Sequence, residues 1–187
     1  LMALKAGSIR FNTDSYQMEI WDGNQWTGIV STSPELLTGG TRGIAARGRT
    51  PSDTDTIQFF NIDSTGSAID FGNCTYSGDS CRGGQCASRT RGIIGMTDDD
   101  ETMEFVTIAS TGNATTFGEN TIGGNGAYAS SSTRGVSFGG EDGSTPKVNV
   151  ISMITIASTG NATDFGDVSS GAIHGSGAVS SPTRGVF

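Results

Sequence analysis

Apolar and polar positions alternate over short stretches along the chain, which predicts strands rather than helices. Three of these stretches are apolar on both faces, and they lie at residues 56–62, 103–108 and 148–156. In the second stretch, Met103 and Phe105 fall on one face of a strand. Val106 and Ile108 fall on the other face. Because a strand that is apolar on both faces is typical of a position between two packed layers, the pattern predicts an all-β protein built of stacked small sheets.

Each of these two-faced stretches, apolar on both sides, leads into a short sequence that recurs along the chain. We call such a recurring sequence a word. Residues 155–166 read TIASTGNATDFG, residues 107–118 agree with them at 11 of 12 positions, and residues 61–72 agree at 8 of 12. A second word, Thr-Arg-Gly (TRG), begins at positions 41, 90, 133 and 183. Self-similarity with a period of this length is typical of propeller-type repeats. We therefore expect repeats at 41–89, 90–132 and 133–182, with the start of a fourth at 183–187.

The repeats share one internal order. The TRG word opens a strand, an acidic loop and the two-faced strand follow, and the Ser-Thr-Gly (STG) turn leads into a strand that contains Phe-Gly. The segment before the next TRG has room for a short fourth strand. Three four-stranded repeats are fewer than the roughly four to eight blades of propellers, so we expect an incomplete ring, an open stack, or completion by residues or chains outside this sequence.

The first 30 residues contain none of the repeated words, and their pattern predicts a short three-stranded β-meander. Residues 31–40, STSPELLTGG, have the composition of a linker. The meander resembles a module of bacteriophage tail fibres in ten positions: Gly7, Ile9, Arg10, Phe11, Asn12, Thr13, Glu19, Trp21, Gly23 and Trp26. The resemblance implies attachment or oligomerisation, often as a trimeric fibre. The alternative is a plain three-stranded cap on the repeats.

The repeats carry a second resemblance. The words STGNATDFGD and SSxTRGVF resemble repeat arrays in large virion proteins of cyanophages, which are described as kelch-like and β-propeller-type. Gly139-Gly140 fits the glycine pair of kelch repeats, whereas their spaced Tyr and Trp are absent. The first copy departs from the word, with Asp63, Ser67 and Ile69 in place of Ala, Asn and Thr.

Three residue types recur too regularly to form a single active site. They are the TRG arginines (Arg42, Arg91, Arg134, Arg184), the STG glycines (Gly66, Gly112, Gly160) and the Phe-Gly phenylalanines (Phe71, Phe117, Phe165). We expect the arginines to bridge blades, binding carbonyls or an acidic residue such as Asp70 or Asp164, because the guanidinium is a planar fork of donors. Binding of anionic glycans is the alternative. We expect the glycines to adopt positive φ in tight hairpins, with Asn113 and Asn161 tolerating it.

The three cysteines, Cys74, Cys81 and Cys86, all lie in the first repeat. Their spacing, with no histidine nearby, makes a poor zinc site. Since the number is odd, we expect one disulfide that uses Cys81 and one neighbour, or else inert thiols.

Other candidate chemistry is sparse. His174 is the sole histidine, so no catalytic triad is indicated. Carboxylates cluster in one loop of each repeat, at 53–55, 98–101 and 141–142. They are either solvated turns or calcium ligands, and the candidates for the latter are Asp98, Asp99, Asp100 and Glu101. The formal glycosylation sequons at Asn73, Asn113 and Asn161 are expected to go unused. We predict no enzyme activity and no cofactor.

Charge and hydropathy narrow the partners. The net charge of −8 disfavours nucleic-acid binding. The sequence contains no run of about 18 apolar residues, so it does not predict insertion into a membrane. The resemblances to a tail-fibre module and to cyanophage repeat arrays imply a virion structural protein in an extracellular particle, as a tail fibre, appendage or surface decoration. Expected partners are other virion proteins, further copies of the chain, with a trimer as one arrangement, and a host-surface glycan. Alternatives are a bacterial extracellular adhesion or scaffold protein and, ranked below it, a glycan-cleaving enzyme. We also expect the sequence to be part of a longer polypeptide.

Overall fold

The computed structural model describes residues 5–14, 17–29, 38–49, 51–78, 84–95, 101–120, 126–140, 148–169, 177–181 and 183–186. All regular secondary structure in these ranges is β-strand, which confirms the all-β prediction. No helix in them has the length and apolar character needed to span a bilayer. The chain divides into two compact units, Leu1–Leu36 and Leu37–Phe187, and the division falls within the predicted linker.

The first unit is a three-stranded antiparallel meander, as the sequence predicts. Its strands, which pair in the order β1-β2-β3, are β1 (Ile9–Asn12), β2 (Gln17–Trp21) and β3 (Trp26–Gly28). On one face the rings of Trp21 and Trp26 lie 5.5 Å apart, and the Arg10 guanidinium lies 4.2 Å from the Trp26 ring. Glu19 pairs with Arg10 across the strands at 2.8 Å. Hydrogen bonds from Asn12 and Arg10 to the Glu19 carboxylate lower its pKa.

Within its described residues, the second unit contains four antiparallel sheets that follow one another along the chain. Sheet 1 consists of β4 (Arg42–Arg49), β5 (Asp53–Asn61) and β6 (Ile69–Gly78). Sheet 2 consists of β7 (Gln85–Ala87), β8 (Arg91–Ile94), β9 (Thr102–Thr107) and β10 (Thr115–Glu119). Sheet 3 consists of β11 (Ala127–Ser130), β12 (Arg134–Phe138), β13 (Val150–Thr155) and β14 (Thr163–Asp167). Sheet 4 has two strands in the described residues, β15 (Val179–Ser180) and β16 (Gly185–Val186).

The sheets are offset from the sequence repeats. The short strand before each TRG pairs with the TRG strand that follows it, as β7 pairs with β8 and β11 with β12. A sheet therefore takes its first strand from the end of one repeat and its other strands from the next repeat. The sequence pattern instead predicts this short strand as the last strand of its own repeat.

Hydrogen bonds within a short sequence motif stabilise the turn that joins these two strands. The Ser88 hydroxyl oxygen accepts hydrogen bonds from the backbone N–H groups of Thr90 and Arg91. The Ser88 N–H in turn donates to the Arg91 carbonyl at 2.9 Å. The same bonds recur around Ser131 and Ser181. Because serine hydroxyls favour such turns, the word Ser-x-Thr-Arg-Gly encodes the hairpin that begins sheets 2, 3 and 4.

Apolar clusters fill the spaces between consecutive sheets. The cluster between sheets 1 and 2 contains Ala46, Ile57, Phe71, Cys74, Ile94, Val106 and Ala114. The cluster between sheets 2 and 3 contains Cys86, Ile93, Met103, Phe117, Ile154 and Ile156. Strand β9 supplies Val106 to the first cluster and Met103 to the second. The strand is thus buried on both faces, as its apolar pattern predicts.

A buried ion pair joins sheets 1 and 2. The Arg47 guanidinium binds the Glu104 carboxylate, and the two side chains are almost fully buried. Arg47 also donates to the Gly95 carbonyl at 2.9 Å, and Glu104 accepts from the Thr75 N–H at 2.8 Å. Arg47 has a φ of 64°, the one left-handed non-glycine residue in the described chain. The sequence analysis did not identify this pair, since each partner occurs in a single copy.

The corresponding space between sheets 2 and 3 holds neutral polar groups instead. The Asn120 amide donates to the Ser137 hydroxyl at 3.0 Å, and both side chains are buried. Ser152, in the register position of Glu104, is buried beside them. We call the spaces between sheets 1 and 2 and between sheets 2 and 3 the interior junctions. Both are filled by an apolar cluster, but they contain different buried polar groups.

The expected disulfide is not formed by the described cysteines. Cys74 and Cys86 are free thiols, and they lie in different clusters on opposite sides of sheet 2. Burial raises the pKa of Cys74 to about 11 and the pKa of Cys86 to about 12. Cys81 lies outside the described residues. The structure therefore agrees with the other expectation for this pair, inert buried thiols.

Slow alkylation of the two buried thiols is the first testable consequence. Since the thiolate is the reactive form, a pKa of about 11 leaves roughly one thiol in a thousand ionised at pH 8. We expect iodoacetamide to leave Cys74 and Cys86 unmodified in the native protein and to modify both in guanidinium chloride, as measured by mass spectrometry. Alkylation of Cys86 at the same rate in both conditions would contradict its burial.

The ion pair predicts a large stability effect. Arg47→Met leaves the Glu104 carboxylate buried without its partner, so we expect the free energy of unfolding to fall by about 3–5 kcal/mol. Adding Glu104→Gln removes that charge and keeps an acceptor for Thr75, so the double variant should recover most of the loss. Urea unfolding measures both. The control is Arg49→Met, because Arg49 forms a largely exposed pair with Asp53 that is worth at most about 1 kcal/mol.

Candidate functional site: the sheet junctions and an open face

The STG word lies against the neighbouring sheet rather than forming only a turn in its own. After β9, the Gly112 N–H donates to the Phe71 carbonyl of sheet 1 at 2.8 Å, and the Ala114 N–H donates to the Asn73 carbonyl at 2.9 Å. The Asn113 side-chain oxygen accepts from the Asn73 N–H at 3.1 Å. These bonds satisfy the outer edge of β6, which would otherwise present unpaired backbone groups.

The next junction repeats this arrangement. The Gly160 N–H donates to the Phe117 carbonyl, and the Ala162 N–H donates to the Glu119 carbonyl, both at 2.8 Å. The Asn161 side-chain oxygen accepts from the Glu119 N–H at 3.1 Å. The Asn-Ala-Thr sequons are thus explained by contacts between sheets.

Two glycines make this close approach possible. A Cβ on Gly72 would lie 2.3 Å from the Gly112 carbonyl oxygen, and a Cβ on Gly118 would lie 2.2 Å from the Gly160 carbonyl oxygen. Carbon and oxygen atoms that are not bonded to each other do not come this close, so a larger residue at either position would force the sheets apart. The sequence analysis overlooked these glycines, although the invariant Phe-Gly pair of the three copies was the signal.

The phenylalanine of each Phe-Gly pair sits at a β-bulge. The register between β10 and β9 shifts between Thr116 and Gly118, so Phe117 is the extra residue. The equivalent shifts occur around Phe71 and Phe165. A bulge redirects a side chain, and here it turns Phe71 and Phe117 into the cluster shared with the next sheet.

The TRG arginines lie across the same junctions. Arg42 donates to the Ile108 carbonyl of sheet 2 at 2.9 Å, and Arg91 donates to the Ile156 carbonyl of sheet 3 at 3.2 Å. Each guanidinium also lies over a ring of its own sheet, 4.7 Å from Phe59 for Arg42 and 4.5 Å from Phe105 for Arg91. Arginine therefore links the sheets through backbone carbonyls, with an aromatic ring holding its orientation.

The expected backbone role of the STG glycines holds only in part. Gly112 and Gly160 have φ of 159°, at the border of extended geometry, and Gly66 does not have a positive φ. Asn113 and Asn161 do not adopt positive φ either. The prediction of a tight hairpin was wrong because residues 108–114 form a longer connection whose backbone bonds to another sheet.

The third copy of the motif meets no STG segment of a neighbouring sheet in the described residues. Phe71 and Phe117 are each 3% exposed, whereas Phe165 is 55% exposed. A Cβ on Gly166 would meet no atom within 4 Å. Arg134 is likewise exposed, without the carbonyl contact that Arg42 and Arg91 make within the described chain. We call this surface of sheet 3 the tail face.

The tail face is partly covered by sheet 4. Gly185 of β16 packs on Ala129 of β11, as Gly135 packs on Cys86 one junction earlier. Sheet 4 thus occupies the position of a next sheet with only its first two strands. Beside it lies a groove of about 310 Å³, whose lining includes Arg134, Phe165 and Arg184. The groove brings together an apolar ring and two guanidinium groups.

A second groove, of about 370 Å³, runs along the first strands of the sheets. Its lining includes Arg42, Gln85, Tyr128 and Ser180. Ser130 links two of these strands, donating through its hydroxyl to the Ala87 carbonyl at 2.9 Å. Since Tyr128 is partly buried, and burial raises its pKa to about 12, its hydroxyl stays protonated and cannot serve as a base near neutral pH.

The candidate residues for metal and acid–base chemistry do not converge in the described part of the chain. Asp98, Asp99, Asp100 and His174 lie outside it, and Glu101 is exposed. Within the described ranges no three carboxylate, thiol or imidazole side chains form a group that could hold a metal ion.

The glycine contact gives a prediction with an internal control. Gly118→Ala and Gly166→Ala replace equivalent glycines with φ of 158° and 143°, so both variants carry backbone strain. Only Gly118 faces a carbonyl, at 2.2 Å from the added Cβ. We expect Gly118→Ala to lower the free energy of unfolding by about 1–3 kcal/mol more than Gly166→Ala does, in urea unfolding. Equal losses would contradict the junction.

Comparisons with known proteins support the fold alone. No protein-family model and no curated protein matches the chain. The chain is similar to a solved structure described as "Structure of YjhT", with a TM-score of 0.58 at 8% sequence identity, over 87% of this chain. It covers 62% of the length of that protein, so the match concerns part of a larger structure. The similarity is consistent with an all-β fold of small antiparallel sheets.

Proposed function

We propose that the chain is a non-enzymatic structural protein of a virion, serving as a tail fibre, appendage or surface decoration. Its stacked sheets would be propeller blades of the kelch-like type, in an incomplete ring. The observation that carries the proposal is the use of the repeated residues. In the interior junctions the arginines, asparagines and glycines of the repeated words make contacts between sheets. The repetition therefore builds a scaffold.

An enzyme would concentrate charged and nucleophilic groups around one cavity. Here the TRG arginines are spaced one to a sheet, and the guanidinium groups of Arg42 and Arg91 end on backbone carbonyls. The resemblance of the meander to a tail-fibre module supports placement in a virion and assigns attachment or oligomerisation to the first unit. An extracellular particle is the corresponding location.

The topology separates constant from variable surface. In an antiparallel meander the STG and TRG turns leave from one end of the sheets, and the acidic connections leave from the other. The turns repeat the same words, whereas the acidic segments differ. RTPSDTD covers the end of β4 and the start of β5, and MTDDDE and GGEDGSTPK precede β9 and β13 in the sequence. We assign contact with a host-surface glycan to the acidic end. Its negative charge favours a neutral or cationic ligand over an anionic one.

Two experiments test the role together. Peptides of the chain should be found by mass spectrometry in purified virions of the phage that encodes it. Purified protein should also lower phage adsorption when it is added to host cells first, because it would occupy the receptor. Replacing Asp98, Asp99 and Asp100 with serine should weaken this competition.

The control for the loop variant lies at the opposite end of the sheets. Ser158→Ala and Thr159→Ala change exposed residues of an STG turn and should leave the competition unchanged. Absence of the peptides from virions would contradict the virion role and would favour a bacterial extracellular adhesion protein. Host-glycan cleavage by the purified protein would contradict a non-enzymatic role.

A further inference from the structure

The stack has a second open face at its other end. Ile108 and Ile156, which precede the STG turns of sheets 2 and 3, are 7% and 0% exposed, but the equivalent Ile62 of sheet 1 is 67% exposed. Phe60, which precedes it on the same face of sheet 1, is exposed as well. We call this surface of sheet 1 the head face.

The head and tail faces are the two halves of one junction. In the interior junctions, one sheet supplies the Phe-Gly bulge and an arginine, and these remain unused on the tail face. The other sheet supplies the isoleucine carbonyl and the STG backbone, and these remain unused on the head face. A Cβ on Gly66 would meet no atom within 4 Å, so the STG backbone of sheet 1 is open to a partner.

We propose that the tail face of one copy binds the head face of a second copy of the chain, head to tail. By the pattern of the interior junctions, Phe165 would enter an apolar cluster with Ile62 of the second copy. Arg134 would donate to the carbonyl of that isoleucine. The Gly66 N–H of the second copy would donate to the Phe165 carbonyl. Burial of these side chains would drive the association, and the backbone bonds would set its register.

The offset of the sheets supplies the remaining strand. Strand β15, at the other end of the chain, is a short strand of the kind that begins sheets 2 and 3, whereas residues 31–37, which precede the first TRG, lie outside the described residues. Strand β15 would complete sheet 1 of the second copy. There β4, with eight residues, would replace the two-residue β16 beside β15. This interface does not depend on the virion role.

Sedimentation velocity of the whole chain over a concentration series, from about 1 µM to about 1 mM, tests the proposal. The parent protein should self-associate with increasing concentration. Phe165→Asp and Ile62→Asp, on opposite faces, should each weaken the association by at least about 30-fold, as expected for the centre of an interface. Tyr76→Asp, which changes an exposed aromatic residue of sheet 1 that the proposed contacts do not involve, is the matched control and should associate like the parent.

Mixing the two variants separates an interface effect from misfolding. Phe165→Asp keeps an intact head face, and Ile62→Asp keeps an intact tail face. At a concentration at which each variant alone is monomeric, an equimolar mixture should therefore form a dimer and nothing larger. A mixture that stays monomeric would overturn the proposal, as would a parent protein that is monomeric throughout the series.

Two further measurements address the source of the partner strand. Removing residues 183–187 deletes β16, so association should tighten, and unchanged or weaker association would overturn the exchange of β16 for β4. A synthetic peptide of residues 102–119 carries the β9–β10 hairpin and should compete with self-association. If that peptide binds a parent protein that remains monomeric, the tail face accepts a repeat hairpin from another source, and the second-copy proposal is wrong.

Discussion

Each interior junction of this protein depends on an approach of two backbones that side chains would prevent. The glycine of a Phe-Gly bulge faces the carbonyl of an STG glycine, and at Gly118 an added Cβ would lie 2.2 Å from it. This contact brings the STG segment within hydrogen-bonding distance of the neighbouring edge strand. The buried phenylalanine and the arginine on the isoleucine carbonyl both require the same spacing. Since Gly/Ser-rich sheets bury little apolar surface alone, their stability is shared between neighbours.

Polar contents give each junction its identity. The two interior junctions share their glycines, phenylalanines and arginines, so apolar packing alone would fit any sheet to any other. The Arg47–Glu104 pair belongs to the first junction, and the buried Asn120 and Ser137 belong to the second. A Glu104 carboxylate placed in the second junction would face no arginine and would be costly to bury. We interpret these groups as a device that fixes the order of the sheets.

Much of the fold could be predicted from the sequence, because its signals are local. The two faces of β9 and the Ser-x-Thr-Arg-Gly hairpins depend on neighbouring residues and on period. Apart from the arginine bridges to carbonyls, contacts between residues of different repeats were not predicted. Periodicity cannot reveal which sheet a short strand joins, because a one-repeat shift leaves the pattern unchanged. The pair of Arg47 and Glu104 is separated by a whole repeat, and Cys74 and Cys86 are close in sequence but lie on opposite sides of a sheet. For the open face, the Phe-Gly pair at Phe165 is the same as in the buried copies, so only the structure distinguishes it.

The offset between sheets and repeats also bears on how such a chain can lengthen. A tandem duplication of one period, wherever its breakpoints fall, inserts one short strand, one TRG strand, one two-faced strand and one Phe-Gly strand in the correct cyclic order. The inserted segment always makes one complete sheet, partly shared with its flanks. Recombination therefore need not cut at a structural boundary to yield a foldable product. The agreement of the second and third words at 11 of 12 positions is what recent growth by this route would leave behind.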